Sequence, residues 1–181
     1  NSIYVPLEGV YKVKNIENFK LFDLSLNNDS LIFKDETITY SNLLNIIVDS
    51  YEKNNYLGFE LKLINEKQGN QLFNLLKVKY GKPLKKSEYL NNLNIQINYL
   101  WQDKSSNQII LYSKHNESGH LALDGKNEIL SETRIIILKD GLSIKPDMLD
   151  SRNKKENIET LLKSNPKAFD ILEIFKSQIQ D

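Results

Sequence analysis

Between Gly58 and Ile64 the chain reads Gly-Phe-Glu-Leu-Lys-Leu-Ile, with Glu60 and Lys62 set between apolar neighbours. Side chains leave a strand on alternate faces, so Phe59, Leu61 and Leu63 line one side and the charged pair lines the other. Such a segment needs a sheet with one face on a core. Ile95 to Trp101 repeats the pattern with Ile95, Ile97, Tyr99 and Trp101, and Gln102 to Asn107 turns it back into Gln108 to Ser113. Thr133 to Lys139 (TRIIILK) is a β-branched run without alternation, as expected of a strand buried on both faces.

The connections are hairpin-like. Asp124-Gly125 is the strongest short turn signal, and Asp140-Gly141 turns again into Leu142 to Lys145. Ser2 to Val13 holds two short β-prone pieces around Pro6 and Gly9. Phe19 to Leu26 and Leu31 to Phe33, on either side of Asn27-Asn28-Asp29, read as one hairpin. Within Thr37 to Tyr51, the residues Leu43, Leu44, Ile47 and Val48 have helical spacing. Asn45 to Tyr51 is nonetheless assigned to a strand, because Lys53-Asn54-Asn55 turns the chain into Gly58 to Ile64. Lys114 to Gly119 reads as a polar loop before a short strand, His120 to Leu123, and a polar linker precedes Ile95.

One helix is well marked. Asn65 is a good N-cap, with Gln68 three positions on as in a capping box. Leu72, Phe73, Leu76 and Tyr80 form its stripe, Gly81 fits the position after its end, and Pro83 stops it. Gly69 is expected to weaken the first turn by roughly 1 kcal/mol relative to Ala. After Pro146 and a charged stretch, Asp147 to Lys155, two helices are expected. One carries Ile158, Leu161 and Leu162. The other starts at Asn165-Pro166 and carries Phe169, Leu172, Phe175 and Ile179. Few helices among hairpin-linked strands predict an α+β fold. The expectation is one antiparallel, hairpin-rich sheet with a central helix (about 66–80) and C-terminal helices (about 155–180) on one face. All 181 residues are assigned to one domain, with 146–181 as a helical appendage.

Composition narrows the function. The 24 basic and 24 acidic residues cancel, and every basic residue but Arg134 and Arg152 is Lys. Sequence-specific DNA readers lean on Arg forks and a basic surface, so no nucleic-acid partner is expected. The Lys bias, the many Asn and Ile, and only Ala122 and Ala168 as alanines fit an AT-rich bacterial genome. Without cysteine there are no disulfides, thiolate metal sites or cysteine nucleophiles. No apolar run reaches the roughly 18 residues of a membrane span. The first residue is Asn1, not Met, so removal of a tag, a secretion signal or a lipoprotein leader is expected upstream, and a lipid anchor there is compatible with the sequence.

The catalytic signatures are missing: no phosphate-cradling Gly-rich loop, G-x-S-x-G elbow, H-E-x-x-H or EF-hand loop is found, and no catalytic, cofactor-binding or metal residue is assigned. His115, His120 and Asp124 form H-x4-H-x3-D, a spacing that no helical period would gather; two solvated loop histidines are expected. Ser113, His115 and Asp124 could be written as a triad, but triads are defined by geometry. Tyr99, Trp101 and Tyr112 could form an aromatic platform, yet aromatics at period two are chiefly core, and Trp101 is expected to lean on the Leu72–Tyr80 helix. Lys77, Lys79, Lys82, Lys85 and Lys86 gather near a helix end, where a solvated face is expected.

A helix ending in Tyr80-Gly81-Lys82-Pro83, a strand ending in Tyr99-Leu100-Trp101 and then Ile109-Ile110-Leu111 resembles a pattern in small secreted or lipid-anchored proteins of unknown function from low-GC Gram-negative bacteria. It covers about a third of the chain, and its Gly-then-Pro element is general helix-stop chemistry. The resemblance implies a periplasmic or envelope location over a cytoplasmic one, and no catalytic residues.

Three function classes remain. The first is a non-enzymatic protein-binding domain, such as an envelope accessory factor or a toxin-neutralising immunity protein, working through a few surface hot spots. The second is a hydrolase without short motifs that uses an Asp/Glu pair in a cleft. The third is a carrier of a small apolar ligand, which requires a cavity of several hundred Å³.

Overall fold

A computed structural model describes residues 9–34, 36–49, 53–91, 94–144 and 155–179, with side chains of the last stretch from Ile158 onward. Eleven strands and three helices are found among them: β1 Val10–Lys12, β2 Lys20–Leu21, β3 Leu24–Ser25, β4 Ser30–Ile32, β5 Thr39–Ser41, β6 Leu43–Asp49, β7 Asn55–Leu63, α1 Glu66–Tyr80, β8 Lys85–Leu90, β9 Ile95–Asp103, β10 Gln108–Leu121, β11 Asn127–Lys139, α2 Lys155–Ser164 and α3 Ile171–Gln178. Seven strands make one antiparallel sheet in the order β1-β6-β7-β11-β10-β9-β8. The α+β class and the antiparallel sheet stand as the sequence predicts. The notional pieces before Gly9 and the segment from Lys145 to Lys154, with Pro146, lie outside the described residues.

Period-two alternation explains the layers. Along β11, Ile135 and Ile137 enter one core cluster while Ile136 and Leu138 enter another. Ile110 and Tyr112 of β10 join the first, and Ile109 and Leu111 join the second. The first cluster lies under α1, through Leu72 and Leu76, and takes in Ile16, Leu21 and Leu26. The second lies under the C-terminal segment, through Phe169, Ile171, Phe175 and Ile179. The helices are therefore divided between the two faces, not gathered on one. TRIIILK fails to alternate because both of its faces are covered.

The helix ends follow their local chemistry. Asn65 Oδ1 accepts from Gln68 N–H at 3.0 Å. Gln68 does not close a capping box: its side-chain amide donates to Ser25 O at 3.1 Å, fastening β3 to α1. Gly81, with φ 65°, takes a conformation that disfavours a Cβ, and its N–H donates to Lys77 O. Trp101 Nε1–H donates to Gly81 O at 2.9 Å, so the indole does lean on the helix end. The last helix begins later than Asn165-Pro166 suggests. Asn165 Oδ1 closes a local turn onto Lys167 N–H, and Asp170 caps α3 by accepting from Leu172 and Glu173. Ser143 bridges Asp170, which holds this segment against the sheet.

Three expectations from local patterning are corrected. Phe19 to Leu26 and Leu31 to Phe33 do not pair with each other; β2 pairs β3, and β4 pairs β5. The β2–β3 turn puts Phe22 and Asp23 at φ 51° and 65°, a mirror-image turn without its usual Asn-Gly. The Phe22 ring packs edge-on to Tyr80 and carries Lys79 Nζ 4.8 Å above it, contacts that favour Phe at this position. Asn42, buried, fixes the following bend through Asn27 O and Ile64 N–H, both at 2.8 Å. The polar linker before Ile95 contains β8, an edge strand of the charged kind. Lys114 to Gly119 is no loop, because β10 runs unbroken to Leu121.

Those polar rungs are stable because their partners are side chains. Lys114, buried against the α1 face, donates to Glu66 Oε1 at 2.8 Å and Asn70 Oδ1 at 3.0 Å. Ser131 Oγ–H donates to Asn116 Oδ1 at 2.8 Å across the ladder. Gly69 passes so close to β11 that a Cβ there would lie 2.2 Å from Thr133 Oγ1. Its cost in helix propensity is thus secondary to the close crossing it permits.

Two outcomes follow. Gly69→Ala is expected to lower stability by about 1–3 kcal/mol in urea unfolding, despite the better helix former, and Thr133→Ala should recover part of that loss in the double variant. The hydrogen bond from Lys114 holds the Glu66 carboxyl below its ordinary range. A depressed carboxyl pKa contributes stability above the unfolded value of about 4.3 and loses it as pH falls through the folded value. The melting-temperature gap between the native chain and Glu66→Gln should therefore be open at pH 6 and close as the pH is lowered toward 3.

Candidate interaction surface

β10 and β11 outrun the rest of the sheet. β9 pairs β10 only as far as Ile95↔Asn116, and β7 pairs β11 only as far as Leu63↔Thr133. The ladder continues alone from Glu117↔Leu130 to Leu121↔Asn127, with a bulge at Gly119. The two strands form an arm, closed by a turn in which Gly125 N–H donates to Ala122 O and Ala122 N–H to Lys126 O.

The β4–β5 hairpin docks on this arm. Lys34 N–H donates to Leu121 O at 2.7 Å. His120 stacks on the buried Phe33 ring at 4.2 Å between centroids, and its Nδ1 lies 2.8 Å from Glu36 Oε1. Tyr40 OH donates to the other Glu36 oxygen at 3.1 Å and meets His120 edge-on. The Tyr40 hydroxyl is pushed above its ordinary pKa, first by partial burial, then by the Glu36 hydrogen bond and the nearby charges of Glu36, Glu117 and Glu132. His120 is therefore a packed latch and not the solvated loop histidine the sequence suggests. Sequence reasoning missed this cluster because Phe33, Glu36 and Tyr40 come from a hairpin placed elsewhere; the periodicity of Leu31 and Phe33 was its one visible trace.

The remaining candidates separate. His115 is exposed on β10 opposite Glu132 and Gln96, on the sheet proper. Ser113 Oγ–H donates to Asn98 Oδ1 at 2.7 Å. Asp124 sits in the arm's turn and accepts from Lys126 N–H and Nζ, which hold its carboxyl below the ordinary range. Neither the triad nor the H-x4-H-x3-D set is assembled. Among the described residues no three His, Asp or Glu groups are placed to hold a metal ion.

Tyr99, Trp101 and Tyr112 lie buried beneath α1. Phe73 stacks on Tyr112 at 4.5 Å and meets Tyr99 edge-on at 4.9 Å. Burial pushes the Tyr99 and Tyr112 hydroxyls up to about 12, and Tyr99 OH donates to Glu88. This is core, not a platform. The lysines also disperse: Lys77 lies over Phe73, Lys79 over Phe22, and Lys85 Nζ donates to Lys176 O. A shallow pocket of about 170 Å³ is lined by Tyr56, Gly58, Asn107 and Lys139 at the opposite end of β11. That is below the roughly 300 Å³ at which small-molecule sites begin. Among the described residues no helix is long and apolar enough to cross a membrane.

Several large aliphatic side chains of the arm and its docked hairpin are open to solvent. Leu123 is 73% exposed, Ile38 60% and Ile129 57%, with Ile32 and Leu121 also open. Glu36, Glu117, Glu128 and Glu132 lie on the same two hairpins, with Glu128 and Glu132 on the strand face opposite Ile129. Removing the latch should free one hairpin without unfolding the sheet. Phe33→Ala is expected to cost about 3 kcal/mol locally, read as faster hydrogen exchange across residues 36–41 and at Lys34, with Ile135 to Leu138 unchanged. Comparison with known protein families, curated proteins and solved structures finds nothing that matches this chain.

Proposed function

We propose that the chain is a non-enzymatic protein-binding domain whose contact surface is the free end of the β10–β11 arm with its docked β4–β5 hairpin. The supporting observation is the set of large aliphatic side chains held open there by two latched hairpins. Apolar groups displayed together and rimmed by polar ones mark contact sites on proteins. Glu36, Glu117, Glu128 and Glu132 on the same two hairpins suit a partner that carries basic groups, since charge complementarity selects among partners. An envelope accessory factor and a toxin-neutralising immunity protein both act in this way. The envelope location is proposed on the sequence resemblance alone.

The test is affinity capture with the native chain beside a Leu123→Asp, Ile129→Asp variant. The expected outcome is a partner held by the native chain and weakened about 30-fold by the double variant, corresponding to a hot spot of about 2 kcal/mol, with the melting temperature unchanged. A partner retained equally by both proteins places the contact elsewhere and refutes the reading.

A further inference from the structure

The sheet ends at β8, which among the described residues pairs with β9 alone. The strand's parity can be worked out. Asn91 N–H donates to Asn94 O, in register with Leu90↔Ile95 and Lys85↔Leu100. In an antiparallel ladder hydrogen-bonded pairs alternate with open ones. Lys85, Ser87 and Tyr89 therefore turn their peptide groups toward β9, while Lys86, Glu88 and Leu90 turn theirs outward. Leu84 N–H also donates to Leu100 O, so the strand enters through an irregular step. Among the described residues no strand pairs with the outer side, where Leu90 is 64% and Tyr89 60% exposed.

An outward row of donors and acceptors accepts another strand. Lysines on an edge ordinarily discourage this, and their placement decides which strand fits. In a two-fold antiparallel pairing of β8 with itself, outward residues must face outward residues. The register with Ser87 on the axis sets Lys86 opposite Glu88 twice and Leu84 opposite Leu90 twice. Shifting by two residues either way sets Lys86 against Lys86, or Glu88 against Glu88. Facing like charges are destabilising in such pairs and unlike charges favourable. Within one chain Lys86 Nζ and Glu88 Oε1 are 3.9 Å apart with both side chains well exposed, a weak pair that is easily exchanged.

We propose that β8 is a self-complementary edge through which two copies of this chain form a symmetric dimer, joining their sheets across Ser87. The two-fold axis makes every contact occur twice, the ordinary form of a closed dimer interface.

Sedimentation of the full chain at low and high salt tests this. The native chain should be dimeric, with salt weakening it. Lys86→Glu and Glu88→Lys, each alone, face like charges and should weaken the dimer at least tenfold. Mixed one to one, the two variants should form a heterodimer, because both facing charged pairs become unlike. Lys86→Pro removes an outward N–H that β9 does not use, and should give a folded monomer. If a charge variant fails to fold by circular dichroism, Leu90→Lys replaces it with the same expectation. A monomeric native chain overturns the proposal. So does a dimer indifferent to these substitutions, or a mixture that forms no heterodimer.

Discussion

The ladder between β10 and β11 carries the structure. Its rungs run from Gln108↔Lys139 to Leu121↔Asn127, and the middle of each strand is covered on both sides, by α1 on one and by the C-terminal segment on the other. Peptide groups shielded in this way cannot exchange their partners for water, so the ladder must stay whole. Neighbouring strands, both helical layers and the docked hairpin take their positions from it. The same pairing, once past its neighbours, becomes the arm.

How much of this could be read from the residues depends on where each signal resides. α1 was legible because Asn65, Gly81 and Pro83 each act through their own backbone chemistry, which tertiary context rarely overrides. The Gly58–Ile64 strand and the doubly buried TRIIILK run were legible for a similar reason, since burial on one face or two is written directly into the spacing of apolar residues. Lys114 to Gly119 was not legible, because a polar strand satisfied by Glu66, Asn70 and Ser131 carries no hydrophobic period. The Phe22-Asp23 turn hid behind a residue chosen for its contact with Tyr80. The face on which α3 lies was likewise beyond local reading, since it depends on the long-range seating of Ile144 against Phe169.

At the surface, individual residues misled. His115 and His120 look alike in the sequence. Glu132 and Gln96 flank one on the open sheet, and the bulge at Gly119 precedes the other against Phe33. Aromatic spacing was the better guide: the prediction that Tyr99, Trp101 and Tyr112 are core rested on period two, and period two is a property of the backbone.

The arm's outer rungs draw support from each other and from one small hairpin, whereas the inner rungs draw it from everything else. A substitution at the tip is therefore felt by few neighbours. On the proposed reading of the arm as a contact surface, recognition can drift there by single changes while the sheet that bears it stays under strict packing constraint, so that one scaffold could follow a succession of changing targets without being rebuilt.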